Sequence, residues 1–213
     1  MSVNPSRRQV LQTGAAAGAF GFLSRIPSVR AEEAKLDPKQ VQFRPEIEPL
    51  IRMIEEAPRQ RVLEEVGALI KKGTTYTEVL SALMLAGVRN IQPRPVGFKF
   101  HAVLVVNSAH LASLNSPDSD RWLPIFWALD QFKSSQAQDV KEGNWTMAPV
   151  KESEVPSAKK ARQMFVEGMD QWDVAKVDAA TAGLARTVGA QEVFDLFEKY
   201  GSRDFRDIGH KAI

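Results

Sequence analysis

Three histidines are the side chains of this 213-residue sequence best suited to bind a metal ion or transfer a proton. His101 and His110 lie within the apolar run 96–114, and His210 lies near the last residue. A buried imidazole needs a hydrogen-bond partner or a functional role, because an unpaired polar group in an apolar environment costs free energy. Since an α-helix turns by about 100° per residue, His101 and His110 face opposite sides of a helix and cannot bind one metal ion from it.

Two pairs of residues at helical spacing add to these histidines. Asn107 lies three residues before His110 and shares its helix face, so it could orient the imidazole. Asp207 and His210 have the acid-x-x-His spacing of helical di-metal carboxylate proteins.

Together these residues could form one metal site. If His101 or His110 meets Asp207 and His210 in a helical core, two or three imidazoles and one carboxylate converge. That is a ligand set for non-haem iron, zinc or manganese, and an axial ligand for haem is a further option. We therefore predict a site for a non-haem metal ion at these four residues. The alternative is that the histidines are hydrogen-bonded core residues and that Asp207 belongs to a ladder of arginine–aspartate pairs.

A third candidate is an aromatic pocket for an organic substrate. Trp127 and Asp130 lie on one predicted helix, and Trp145 lies in the irregular stretch 141–156. With Asn107 they could line a pocket, although ordinary core packing also explains the aromatic rings. Asp130 lies on a strongly apolar helix, so we expect it to pair with Lys133 or with a histidine.

The composition excludes several classes of chemistry. There is no cysteine, so disulfides, thiolate catalysis, iron–sulfur clusters and covalently attached haem are excluded within this chain. The formal net charge is only +2, which gives no indication of nucleic-acid binding. No P-loop, dinucleotide glycine pattern or Ser-His-Asp order is present.

The elements that must position these residues are helices. Apolar residues recur at helical spacing through most of the chain, and no strand alternation persists. Thr75 and Glu78 have the spacing of a capping box, and Gly73, Gly189 and Gly201 follow periodic stretches as helix stops. We predict an all-α bundle or array of about eight helices with no sheet.

The first 31 residues resemble the twin-arginine (Tat) export signal of bacteria. Arg7 and Arg8 precede the short apolar run 13–23, and Ala31 ends a stretch with small residues where a signal peptidase would cut. The resemblance implies export to the periplasm through the Tat translocon, which carries folded proteins. Cleavage would leave 32–44 as a linker and 45–213 as one helical domain, with a slightly negative charge and no membrane span.

Two short stretches resemble the questin-oxidase-like family of helical proteins. They are Phe100-His101-Ala-Val and Gly209-His210-Lys-Ala-Ile, where a histidine lies within an apolar helix. The resemblance implies an all-helical fold, oxidation of an organic substrate, and a role for His101 and His210.

The sequence ends on an apolar, uncapped helical pattern, which favours either a docked end, as in a homo-oligomer, or a longer protein with a missing C-terminal region. Two functional hypotheses follow from all these features. One is an exported oxidoreductase with a His/Asp metal or redox-cofactor site. The other is a non-catalytic module of the cell envelope that binds a partner or serves as a scaffold, its histidines packed in the core.

Overall fold

The computed structural model describes residues 25–35, 45–94 and 97–202. Arg7, Arg8, Asp207 and His210 lie outside this part of the chain. Within it the structure contains nine α-helices and no strand, which confirms the all-α prediction. The helices are α1 Ala31–Ala34, α2 Glu48–Glu56, α3 Arg59–Lys71, α4 Tyr76–Asn90, α5 His101–Leu114, α6 Leu123–Glu142, α7 Ala158–Gln171, α8 Val174–Thr187 and α9 Ala190–Gly201. Short 3-10 turns occur at Pro45–Ile47, Phe98–Phe100 and Glu152–Glu154.

The chain divides into two compact units between Met147 and Ala148. Unit 1 contains α1 to α6. There α4 contacts α1, α2, α5 and α6, and α6 also contacts α3 and α5. The core of unit 1 consists of branched aliphatic and aromatic side chains from these faces, and its fully buried members include Ile51, Ile54, Leu83, Ile125, Leu129 and Phe132.

Unit 2 contains α7, α8 and α9, in which α8 contacts both of the other helices. Among the residues that the structure describes, its core consists of Ala161, Phe165, Ala180, Leu184, Leu196 and Tyr200. The ring of Phe165 meets those of Phe197 and Tyr200 edge-on, with centroids 5.5 and 5.7 Å away. Asp173 accepts a hydrogen bond from the backbone N–H of Lys176 and so caps the start of α8.

Local sequence signals account for several helix ends. The capping box at the start of α4 is present, because Thr75 Oγ1 accepts from Glu78 N and Glu78 Oε2 accepts from Thr75 N. The same helix continues past Gly87 to Asn90. Gly87 is at a close approach of two helices, since a Cβ there would lie 3.1 Å from a Val103 methyl group of α5. The absence of a side chain at Gly87 therefore allows α4 and α5 to pack closely.

One helix was not predicted. The short α1 begins at the expected cleavage residue Ala31 and occupies the start of the expected linker. Ala34 of α1 is fully buried, and α1 contacts α4 and α5. Residues 31–34 are therefore folded into unit 1. No helix in the described part of the chain is both long and apolar enough to cross a membrane.

Candidate functional site

His110 lies in a buried polar cluster at one end of unit 1. Its side chain is near the C-terminal end of α5 and only 8% of it is exposed. Its Nδ1 atom lies 3.0 Å from the hydroxyl of Tyr76, the first residue of α4. A phenol keeps its proton at neutral pH, so we assign Tyr76 as the donor and Nδ1 as the acceptor. The imidazole proton is then on Nε2.

Burial sets the charge state of this pair. Burial lowers the pKa of His110, because the charged imidazolium loses hydration. Burial also raises the pKa of Tyr76, although Ser113 and Arg121 offset part of that rise. Both rings are therefore neutral at pH 7. The Trp122 ring packs against Tyr76 with centroids 5.3 Å apart and completes the wall of the cluster.

Arg121 and Trp122 link this cluster to residues far away in the sequence. The buried guanidinium of Arg121 donates from Nη1 to the carbonyls of Ser113 and Leu114, at 2.6 and 2.9 Å, and so satisfies the C-terminal end of α5. Its Nε donates to the carbonyl of Val29 at 2.9 Å. The remaining contacts are Arg121 Nη2 to Asp118 Oδ1 at 2.8 Å and Trp122 Nε1 to the carbonyl of Pro27 at 3.0 Å.

His101 lies in a different environment from His110. It begins α5, and its ring stacks on that of Phe98 with centroids 5.6 Å apart. Nine residues of α-helix span about 13 Å, so the two imidazoles are far apart along the helix as well as around it. The two imidazoles contact different parts of the protein, Phe98 at His101 and Tyr76 at His110.

The residues predicted for a substrate pocket also lie in separate environments. Asp130 forms a two-pronged ion pair with Arg59 of α3, with both N–O distances 2.7 Å, rather than with Lys133 or a histidine. Trp145 follows α6 and donates its backbone N–H to Asp139 at 2.7 Å. Asn107 and Trp127 are exposed on α5 and α6. An open depression of about 470 Å³ lies elsewhere, and its lining residues are Pro49, Arg52, Met53, Glu56, Ala57, Pro58 and Glu65.

Lys133 binds backbone carbonyl groups instead of the expected partner, Asp130. It is buried, and its Nζ donates to the carbonyls of Ile54 and Glu55 at 3.1 and 2.9 Å, and to Gln136. These carbonyls end α2, where a cation is favourable. Burial lowers the pKa of Lys133, and Glu55 offsets part of that effect.

A buried ion pair fixes the loops at the other end of α6. Lys99 Nζ lies 2.8 Å from Asp139 Oδ1 and 2.8 Å from Glu142 Oε2. Asp139 also accepts from the backbone N–H groups of Gln92 and Trp145. Burial alone would raise the pKa of Asp139, but these hydrogen bonds and the charge of Lys99 outweigh it and lower the pKa. Asp139 is therefore ionised and joins the segments before α5 and after α6.

The metal prediction depends on residues at the end of the sequence. Within residues 25–35, 45–94 and 97–202, no three His, Cys, Asp or Glu side chains come together as a group that could hold a metal ion. Asp207 and His210 lie outside these ranges, so a site that combines them with His101 or His110 stays a prediction.

Four buried or partnered residues could not be recognised from the sequence, because their partners lie up to 92 residues away. They are Tyr76, Lys99, Arg121 and Asp139.

The exposed apolar side chains of unit 1 include a pair on α6. Trp127 is 52% exposed and Leu123, one helical turn before it, is 38% exposed.

Comparison of the chain with protein-family models, with curated proteins and with solved structures finds no match. The arguments for function therefore come from the chain's own residues.

Proposed function

We propose that the chain is an exported, non-catalytic helical module that binds a protein partner through the exposed α6 face formed by Leu123 and Trp127. The observation that carries the proposal is the exposure of Trp127, of which 52% is accessible on a helix whose other face is packed. Tryptophan is the residue type most enriched among the energetic centres of protein interfaces. Export is the part of the proposal that depends on Arg7 and Arg8.

The chemistry around Trp127 favours a protein over a lipid surface. Between Leu123 and Ser135 the only basic residue is Lys133, which is buried. An anionic membrane surface attracts clusters of lysine and arginine, whereas the arginine that contacts this helix, Arg59, is paired with Asp130. Asp130, three residues after Trp127 on α6, is neutralised by Arg59. A largely uncharged patch with a paired charge at its rim is typical of the centre of a protein interface.

The experiment is site-specific photo-crosslinking in cells that export the full chain. A photoreactive residue replaces Leu123, and the adducts are separated and identified by mass. We expect one predominant protein adduct, whose yield falls about tenfold or more in a Trp127→Ala background, as for a central interface residue. Gln138→Ala is the matched control, because Gln138 is exposed on the same side of α6 and about 16 Å farther along.

The outcomes separate the alternatives. Adducts with lipid alone would indicate that this face binds a membrane surface and not a protein partner. An adduct yield that is the same with Trp127→Ala would contradict the role of this face. Elemental analysis and an absorption spectrum of protein exported through its own leader test the metal-dependent oxidoreductase. Stoichiometric iron, zinc or manganese that is lost in His110→Ala would favour that hypothesis over the binding module.

A further inference from the structure

The end of the leader is folded into unit 1. Trp122 Nε1 donates to the carbonyl of Pro27, and Arg121 Nε donates to the carbonyl of Val29. The side chain of Val29 is 5% exposed and belongs to the hydrophobic core of unit 1. Ile26 packs against the same core. These contacts are made by residues 26–29, just before the position at which the sequence predicts cleavage, after Ala31.

Loss of residues 27–29 would leave buried groups without partners. Arg121 is 3% exposed with these residues in place, and without Val29 its Nε would lose its acceptor. An unsatisfied donor on a buried charged group costs more than the hydrogen bond itself contributes. Removal of Val29 would also leave a cavity in the core, which adds a further cost.

The backbone at Ala31 is in the wrong conformation for proteolysis. Proteases and other peptide-binding proteins commonly read their targets as extended strands with alternate side chains in pockets. Here Ala31 is the first residue of α1, and Ala34 N donates to the carbonyl of Arg30 at 3.3 Å. Arg30 N in turn donates to Glu33 at 3.1 Å. The bond after Ala31 is therefore within a helical turn, and Val29, two residues before it, is buried.

We propose that residues 26–34 are a permanent element of unit 1 and that signal peptidase does not cleave after Ala31. The inference rests on the proposed export for its biological setting, whereas the docking of residues 26–34 stands on the contacts alone. A protein that crosses the membrane folded presents this segment to the peptidase already docked. The exported protein then begins upstream of Pro27 and keeps the end of its leader.

The first test is the N-terminus of the exported protein. The full chain is produced in a bacterium with a Tat system, recovered from the cell envelope, and analysed by intact mass and N-terminal sequencing. We expect every folded species to contain residues 26–34. A folded product that begins at Glu32 would overturn the proposal.

The second test is independent of export. In the purified full chain, Val29→Asp places a carboxylate in the core, and Ser28→Asp places the same group at the exposed neighbour. We expect Val29→Asp to lower the ratio of folded to unfolded protein at least tenfold, while Ser28→Asp changes it less than threefold. Equal effects of the two variants would show that the segment is not docked, whatever the outcome for export or for the Trp127 interface.

Discussion

The hydrogen-bond partner of His110 and its burial determine the charge state of its imidazole. The hydroxyl of Tyr76 and the surrounding apolar side chains favour the neutral imidazole, and burial lowers the pKa of His110 below its ordinary value of 6.5. The unfolded chain therefore binds a proton at this residue at a higher pH than the folded chain does. By linkage, the free energy of unfolding must fall as the pH falls from about 6.5 towards the lower pKa of the folded state.

This linkage can be measured with His110→Gln, which keeps a hydrogen-bond acceptor near Tyr76 and removes the titration. We expect the wild-type chain to lose stability between about pH 7 and pH 5 and His110→Gln to lose less over the same range. Urea unfolding at several pH values gives the comparison. Leu111→Gln introduces the same residue at the exposed neighbour and should follow the wild-type slope. An identical slope for His110→Gln would mean that the imidazole is not shielded from water.

At the scale of helices, two buried cations stabilise helix C-termini in unit 1. Lys133 donates to the last carbonyls of α2, and Arg121 donates to those of α5. Terminal carbonyls lack partners within their own helix, so a donor with positive charge satisfies them and also interacts favourably with the helix dipole. Both cations come from the region of α6, which therefore supports its neighbours by polar contacts as well as by its apolar face.

The contribution of Lys133 is tested by Lys133→Met, which keeps the apolar stem and removes the donors. Because burial lowers the pKa of Lys133, the substitution also removes a desolvation cost, and we expect a net loss of only about 1–2 kcal/mol. Denaturant unfolding measures it, with Lys141→Met at an exposed position of α6 as the control, expected within about 0.5 kcal/mol of wild type. A Lys133→Met chain as stable as the control would indicate that water caps α2 equally well.

Helix existence could be predicted from the sequence, whereas the contacts of the candidate site could not. The period of Val79, Leu80 and Leu83 and the capping box at Thr75 are local signals, and the structure contains the corresponding helix. The hydrogen bond from Arg121 to the carbonyl of Val29 joins residues 92 apart, and no local pattern encodes such a pair. Asp130 was expected to pair with Lys133 or with a histidine, yet its partner is Arg59, 71 residues away.

The segment 26–34 shows a related limit of sequence analysis. Its apolar residues are too few to have a period, and its leader-like composition predicts removal rather than folding. Only the tertiary contacts of Pro27 and Val29 reveal it as part of unit 1. For the same reason the metal hypothesis cannot be decided from spacing, since any convergence of His101 or His110 with Asp207 and His210 is a tertiary property.

At the scale of the whole molecule, each unit has its own core, and the two cores differ in size. Among the described residues, unit 1 combines core side chains from six helices, whereas unit 2 has six core residues from three helices. Small domains bury a smaller fraction of their surface and are correspondingly less stable. We infer that the helices of unit 2 are the more sensitive to loss of a single core side chain.

Phe165→Ala tests this inference, because Phe165 is fully buried at the centre of the unit 2 core. Removal of its ring should cost about 3–5 kcal/mol, which is comparable to the whole stability of a domain of this size. We expect limited proteolysis, followed by mass spectrometry, to cut the variant within residues 158–201 under conditions that leave residues 48–142 intact. Phe194→Ala removes an exposed ring from the same unit and should be cut like wild type. Cuts at the same places and rates in both variants would contradict a separate core around Phe165.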